Sequence, residues 1–200
     1  MRRSFQFGVL ALSLIILSSR SMAGEPALTF TGGIVSDITN DTVVGWRFTA
    51  DAAVTVDALG MYDTDGDGFR TATEVGLWDI NGALLATASV TSADPIDAGF
   101  RFSPIAPLRL TAGQDYVVAG TLNADTDGDN YVYNVQATTV SGITFVDSRA
   151  IDTSTLQFPT SFLGNRQGWF GGNISVVPEP NTFALAGVSV LAMACRRRRN

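Results

Sequence analysis

The chain is predicted to be an all-β protein, a β-sandwich or jelly-roll-like domain of roughly ten short strands. Three observations predict it. Runs rich in Val, Thr, Phe, Tyr and Trp recur through residues 24–177. Clusters of Gly, Asp, Asn and Pro separate them at a spacing of about 8–12 residues, as strands and turns require. No stretch of this region carries the 3.6-residue apolar period of an amphipathic helix.

Taken in order, residues 43–49 (VVGWRFT) and 54–62 (VTVDALGMY) read as strands. Residues 74–80 and 83–90 flank Asn81-Gly82, and Asn-Gly between apolar runs is the strongest short hairpin signal. The composition of 84–88 (LLATA) would also suit a helix, but the preceding turn favours a strand. Residues 100–102, 108–111, 116–122, 131–135, 143–147 and 168–177 complete the set. Segments 92–99 and 153–166 read as longer loops, where variation and binding concentrate. Trp46 and Trp78 sit in strand patterns and are expected in the core; Trp169, beside Gly168 and Gly171-Gly172, is the best placed to meet a ligand.

Both ends differ from this middle. Residues 1–23 carry Arg2-Arg3, an apolar run over 7–17 and Ser21-Met22-Ala23. That is the order of a secretory signal peptide, with cleavage expected before Gly24 after passage through the Sec translocon and attack by signal peptidase. Residues 178–200 begin Pro178-Glu179-Pro180, continue apolar over 182–195, and end in Arg196, Arg197, Arg198 and Arg199 before Asn200. Arginines stay cytoplasmic, so the tail and the signal peptide both place the middle outside the inner membrane. As a helix, the 14 apolar residues span about 21 Å against a hydrocarbon core of about 30 Å. Such a segment suits transient insertion better than permanent anchoring. The expected organisation is a signal peptide (1–23), one β domain (24–177) and a tail (178–200).

Setting the ends aside changes the charge. The whole chain carries −6, with no histidine. Residues 24–177 hold six arginines, no lysine and 18 of the 19 acidic residues, a charge near −12. Such a surface repels nucleic acid and attracts cations. Without histidine there is no Ser-His-Asp or Cys-His pair and no ordinary zinc site. The one cysteine, Cys195, lies in the tail, so the domain has no disulfide.

The tail, with its tripeptide, apolar stretch and arginine cluster in that order, resembles the PEP-CTERM sorting signal of exported bacterial proteins. The resemblance implies recognition and cleavage by an exosortase, an integral-membrane cysteine protease, and onward passage to the outer surface or extracellular matrix. The middle also has a familiar order of landmarks: GWRF (45–48), VDALG (56–60), EVGLWD (74–79), LLA (84–86) and LTAGQDYVV (110–118). Over roughly residues 43–122 it resembles a β-sandwich domain of unknown function that recurs in such proteins. This implies a fold and not an activity.

The chemical clue is an acidic loop. Asp63, Asp65, Asp67 and Glu74 stand at positions 1, 3, 5 and 12, with Gly68 at position 6, the ligand spacing of an EF-hand calcium loop. Alternate aspartates converge on a hard cation, Phe69 offers its carbonyl, and Glu74 closes the shell. Strands and not helices flank the loop, so a calcium loop of EF-hand type between strands is expected, and not an EF-hand. Asp125, Asp127 and Asp129 form a weaker second copy, with Asn130 at the sixth position and Gln136 at the twelfth. Asp/Gly-rich solvated turns form without any metal and are the alternative for both.

The leading expectation is a non-enzymatic cell-surface or matrix component, associated with exopolysaccharide and stabilised by calcium. A carbohydrate-binding module using Trp169 is the second reading. A hydrolase using an Asp/Glu pair is the third, and nothing in the sequence picks out the pair.

Overall fold

The computed structural model describes residues 24–36, 39–123, 129–163 and 168–177. The expected signal peptide and sorting tail lie outside these residues. Among the described residues there is no helix, and the strands number sixteen. They are β1 (Glu25–Pro26), β2 (Leu28–Thr31), β3 (Ile34–Val35), β4 (Thr42–Ala50), β5 (Val54–Tyr62), β6 (Thr73–Asp79), β7 (Leu84–Val90) and β8 (Ile96–Asp97). Then come β9 (Phe100–Leu110), β10 (Gln114–Leu122), β11 (Val132–Tyr133), β12 (Gln136–Thr139), β13 (Ile143–Asp152), β14 (Ser161–Phe162), β15 (Gly168–Phe170) and β16 (Gly172–Val177).

Two large antiparallel sheets form the sandwich. One runs β1-β16-β5-β9-β8 and the other β14-β13-β4-β10-β6-β7; β15-β11-β3 and β12-β2 are smaller additions. Between the large sheets lie Trp46, Phe48, Leu59, Met61, Leu77, Phe100, Val118, Phe170 and Ile174, all fully buried. Trp46 also ties the sheets together, because its indole Nε1–H donates to the Gly172 carbonyl at 3.0 Å. A Cβ at Gly172 would stand 2.7 Å from Ala119 Cα, so glycine there lets β16 lie against β10. Trp78 is buried in a second, smaller cluster with Val43 and Ala119.

Several strand expectations need redrawing. Residues 100–102 and 108–111 are parts of one strand, β9, which carries Pro104 and Pro107 in its middle. Proline is tolerated there because β8 pairs only with Phe100 and Arg101 of β9 and the Phe102 amide donates to the Pro95 carbonyl at 3.0 Å, while from Pro104 onward that edge has no strand partner among the described residues. The expected hairpin forms, but Gly82 alone takes a positive φ, of 85°. The Asp79 carboxylate accepts hydrogen bonds from the amides of Asn81 (2.9 Å) and Ala83 (2.8 Å). Residues 153–163 are less of a free loop than expected: Phe158 meets Trp78 edge-on at 6.1 Å, and β14 pairs with β13.

Register fixes where the chain enters and leaves the fold. Glu25 lies opposite Val176, and Val177 opposite Thr55. The first and last described residues therefore share one end of the sandwich, with the turns at 51–53, 80–83, 111–113 and 140–142. At the other end of β5, Met61 lies opposite Gly172 and Tyr62 opposite Phe100. That far end carries residues 63–72, 91–99, 129–135 and 168–171.

Candidate metal centre

β5 delivers the chain to the far end, and Asp63 follows directly on its last residue, Tyr62. Residues 63–72 turn back through Gly66 (φ 80°) and Gly68 (φ 95°) before β6 begins at Thr73. Two carboxylates fold the loop on itself: Asp63 Oδ1 accepts the Gly66 amide at 2.9 Å, and Asp65 Oδ1 the Asp67 amide at 3.2 Å. Gly68 is the sixth position, and its left-handed backbone suits the sharp turn expected of it.

Asp63, Asp65 and Asp67 do converge. Each offers a carboxylate oxygen, and these oxygens lie within 4.8 Å of one another. Asp63 is buried, whereas Asp65 and Asp67 are exposed. The Asp67 amide and side chain hold the Asp65 carboxyl below its usual range. Hydrogen bonding to the Asp65 carboxylate and repulsion from it push Asp67 above. Like charges this close favour the protonated form of one partner, and a divalent cation relieves the same repulsion.

Glu74 is not in the group. It stands exposed on β6, with its amide donating to Thr121 Oγ1 at 3.1 Å. In an EF-hand the exiting helix turns the twelfth residue back over the ion; here a strand carries it off along the sheet. The Phe69 side chain is buried in the core and anchors the loop.

Two partners of the loop were not read from the sequence. The Arg101 guanidinium, from β9, donates through Nε to Asp63 Oδ2 at 2.6 Å. It also bonds the carbonyls of Ser92, Asp94 and Gly66 at 3.0, 3.1 and 3.2 Å. One half-buried cation thus holds loops 63–68 and 91–95 together. The second partner is the other acidic segment. The Thr64 amide donates to Asp129 Oδ1 at 2.8 Å, the Thr64 hydroxyl to the Asn130 carbonyl at 2.9 Å, and the Asn130 amide to Thr64 Oγ1 at 3.0 Å. Asp129 is 3% exposed. Its companions Asp125 and Asp127 lie outside the described residues.

A second feature occupies the same end. β11 and β15 pair with Val132 opposite Phe170 and Tyr133 opposite Gly168, which leaves Trp169 as an extra residue in a β-bulge. Its φ is 64°; the other non-glycine residues with positive φ among those described are Ala98 and Asn134. For a bulky L-residue this conformation costs about 1–2 kcal/mol. The Trp169 ring stacks on Tyr131, with centroids 4.2 Å apart and planes at 18°. With Ser36, Tyr133 and Asn134 the pair lines a cavity of about 220 Å³. Gly168 makes the bulge possible, since a Cβ there would stand 2.7 Å from Tyr133 Cα.

Comparison with known proteins supplies two matches. A family model described as a domain of unknown function, DUF4082, covers residues 31–170. A model of the PEP-CTERM protein-sorting motif covers residues 176–199. No curated protein matches the chain. The domain match extends well beyond the 43–122 stretch whose landmarks carry the resemblance in the sequence. The motif match contains Pro178, Glu179, Pro180 and Arg196 to Arg199, which lie outside the described residues.

Proposed function

Because the chain belongs to the DUF4082 family and ends in a PEP-CTERM sorting motif, that of an exported protein presented to an exosortase, we propose that it is a non-enzymatic component of the cell surface or extracellular matrix. In this reading residues 1–23 are removed on export and residues 24–177 form the displayed domain. The tail inserts briefly in the inner membrane until the exosortase cuts it. The finished protein associates with exopolysaccharide, and calcium stiffens the loops at its far end.

The motif over 176–199 carries this reading. Its position supports it, since β16 ends at Val177 and Pro178 follows without a linker. The end of the sandwich where β16 finishes then faces the membrane, and the acidic loops and the Trp169 bulge point away from it. The absence of histidine and the commitment of Asp63 to Arg101 favour a structural use of the acidic cluster over a catalytic one.

Fractionation of cells carrying the parent chain, and of cells carrying a form with Pro178, Glu179 and Pro180 all changed to alanine, tests the proposal. The parent is expected at the surface or in the matrix, and the altered chain in the inner membrane. Surface delivery of the altered chain at the parental level would contradict it.

A further inference from the structure

We propose that the cavity beside Trp169 binds one ring of a neutral saccharide. The inference deepens the surface reading above by naming the chemical class of its partner, and it rests on that reading only for the partner's biological source. An aromatic face takes the C–H face of a pyranose, and neighbouring polar groups take its hydroxyls. Trp169 and Tyr131 supply the aromatic surface, and Ser36, Tyr133 and Asn134 the polar groups. Ser36 Oγ donates to the Tyr131 hydroxyl at 3.1 Å, which fixes both.

The backbone gives a reason to read this as a site. Two of the three non-glycine residues with positive φ among those described, Asn134 and Trp169, line this one cavity. Strained residues and bulges collect where a side chain must be aimed. Glycine would fill the bulged position without strain, and glycines flank it at 168 and 171. At about 220 Å³ the cavity is below the roughly 300–1,000 Å³ of sites for drug-sized ligands, so one ring enters. Asp129 precedes Tyr131 by two residues, and Asp63, Asp65 and Asp67 share that end. Acidic sugars are therefore repelled and a neutral one is selected.

Trp46 and Trp78 are 0% and 3% exposed, so among the three tryptophans Trp169 is the one a ligand can reach. Intrinsic fluorescence of the full-length chain in mild detergent is titrated with cellopentaose, with N-acetylchitotriose and with polygalacturonate. A saturable change with at least one neutral probe, absent with polygalacturonate and lost in Trp169→Gly, is expected. Asn134→Gly, which removes an exposed amide and relaxes its backbone, should weaken binding at least fivefold and keeps the test alive if Trp169→Gly fails to fold. No change with either neutral probe, a response to polygalacturonate alone, a response that survives Trp169→Gly, or undiminished binding by Asn134→Gly would each overturn the proposal. Binding is read on purified protein and localisation in cells, so the two readings fail separately.

A different observation carries a second inference, which rests on removal of residues 1–23. Asp57 Oδ1 is buried, and no donor among the described residues reaches it. A Cβ on Gly24 would collide with the Asp57 carboxylate and with Ser175 Oγ, so the Gly24 backbone rests on that carboxylate. We infer that cleavage before Gly24 creates the missing donor: hydrolysis of the Ala23–Gly24 amide leaves an α-ammonium, which pairs with Asp57 and holds β1 to β16 and β5. The chain has no lysine, so this ammonium is the one primary amine of the processed protein, and an acylating reagent reports on it alone. In protein recovered from the cell surface, acylation is expected to be at least tenfold slower than in Asp57→Asn. Equal rates would overturn the pairing. A mass spectrum showing an N-terminus other than Gly24 would overturn the cleavage on which it rests.

Discussion

The Thr64 amide donates to Asp129 Oδ1 at 2.8 Å, which joins two residues 65 positions apart in the chain. Of the Asp-Thr-Asp-Gly-Asp repeat at 63–67 and 125–129, the last residue of the second copy, Asp129, is thus in direct contact with the first copy. Asp129 is used from within the fold, as an acceptor for the backbone of the other copy.

The clamp has an energetic consequence. Truncating Asp129 to alanine leaves the part-buried Thr64 amide without its acceptor, a loss of about 1 kcal/mol or somewhat more. Thr64→Val removes the hydroxyl bonds to Asn130. Denaturant unfolding of the two single variants and the double is expected to show coupling, with the double less destabilised than the sum. Strict additivity would mean that the loops do not act together.

Calcium is expected to raise the melting temperature, and excess chelator to lower it. At a hundred times the dissociation constant, binding contributes about 2.7 kcal/mol, several degrees for a domain of this size. Asp65→Asn with Asp67→Asn should abolish the shift without breaking a buried pair, because both groups are exposed. Asp63→Ala should abolish it too, but it also strands Arg101. The shift should fade as pH falls, because Asp67, held above its usual range, is the first of the two exposed carboxylates to take up a proton.

Arg101 neutralises Asp63, one of the three carboxylates that a calcium ion at this loop would draw on. Arg101→Met leaves Asp63, whose side chain is 0% exposed, without its ion-pair partner, and breaking a buried pair costs about 3–5 kcal/mol. Part of that loss is expected to return on adding calcium, so the calcium-induced shift should be larger in Arg101→Met than in the parent. A shift of the same size in both, measured by thermal unfolding, would separate the ion from Asp63.

Acid stability should depend on Asp115. Burial alone would raise its carboxyl, but hydrogen bonds from Thr49 and Arg47 outweigh that and hold it below its usual range. The stability gained is complete above the unfolded value of about 3.9. It is lost as pH falls through the lower folded value. Asp115→Asn is expected to be less stable than the parent at neutral pH and to converge on it at low pH. A constant difference across the range would contradict the pairing.

The sequence was informative where pattern alone decides structure. The alternation over 54–62 reappears as β5 with the same limits, and the arginines after an apolar stretch are matched by the sorting motif. It was less informative where structure depends on distant partners. The two-residue strands β1, β3, β8, β11 and β14 are too short to carry a period. β9 is interrupted in the sequence by prolines that only an edge tolerates. Spacing placed Asp63, Asp65 and Asp67 together, but it could not show that a strand would carry Glu74 away. Arg101 lies 38 residues from Asp63 in no recognisable motif. The flanking glycines marked Trp169, while its bulge depends on Tyr133 across the ladder.

Sorting through the C-terminal motif is tested by the intact mass of the protein recovered from the cell surface. The recovered chain is expected to end close to Pro178-Glu179-Pro180 and to lack Arg196 to Arg199. A surface population still ending in Asn200 would contradict it.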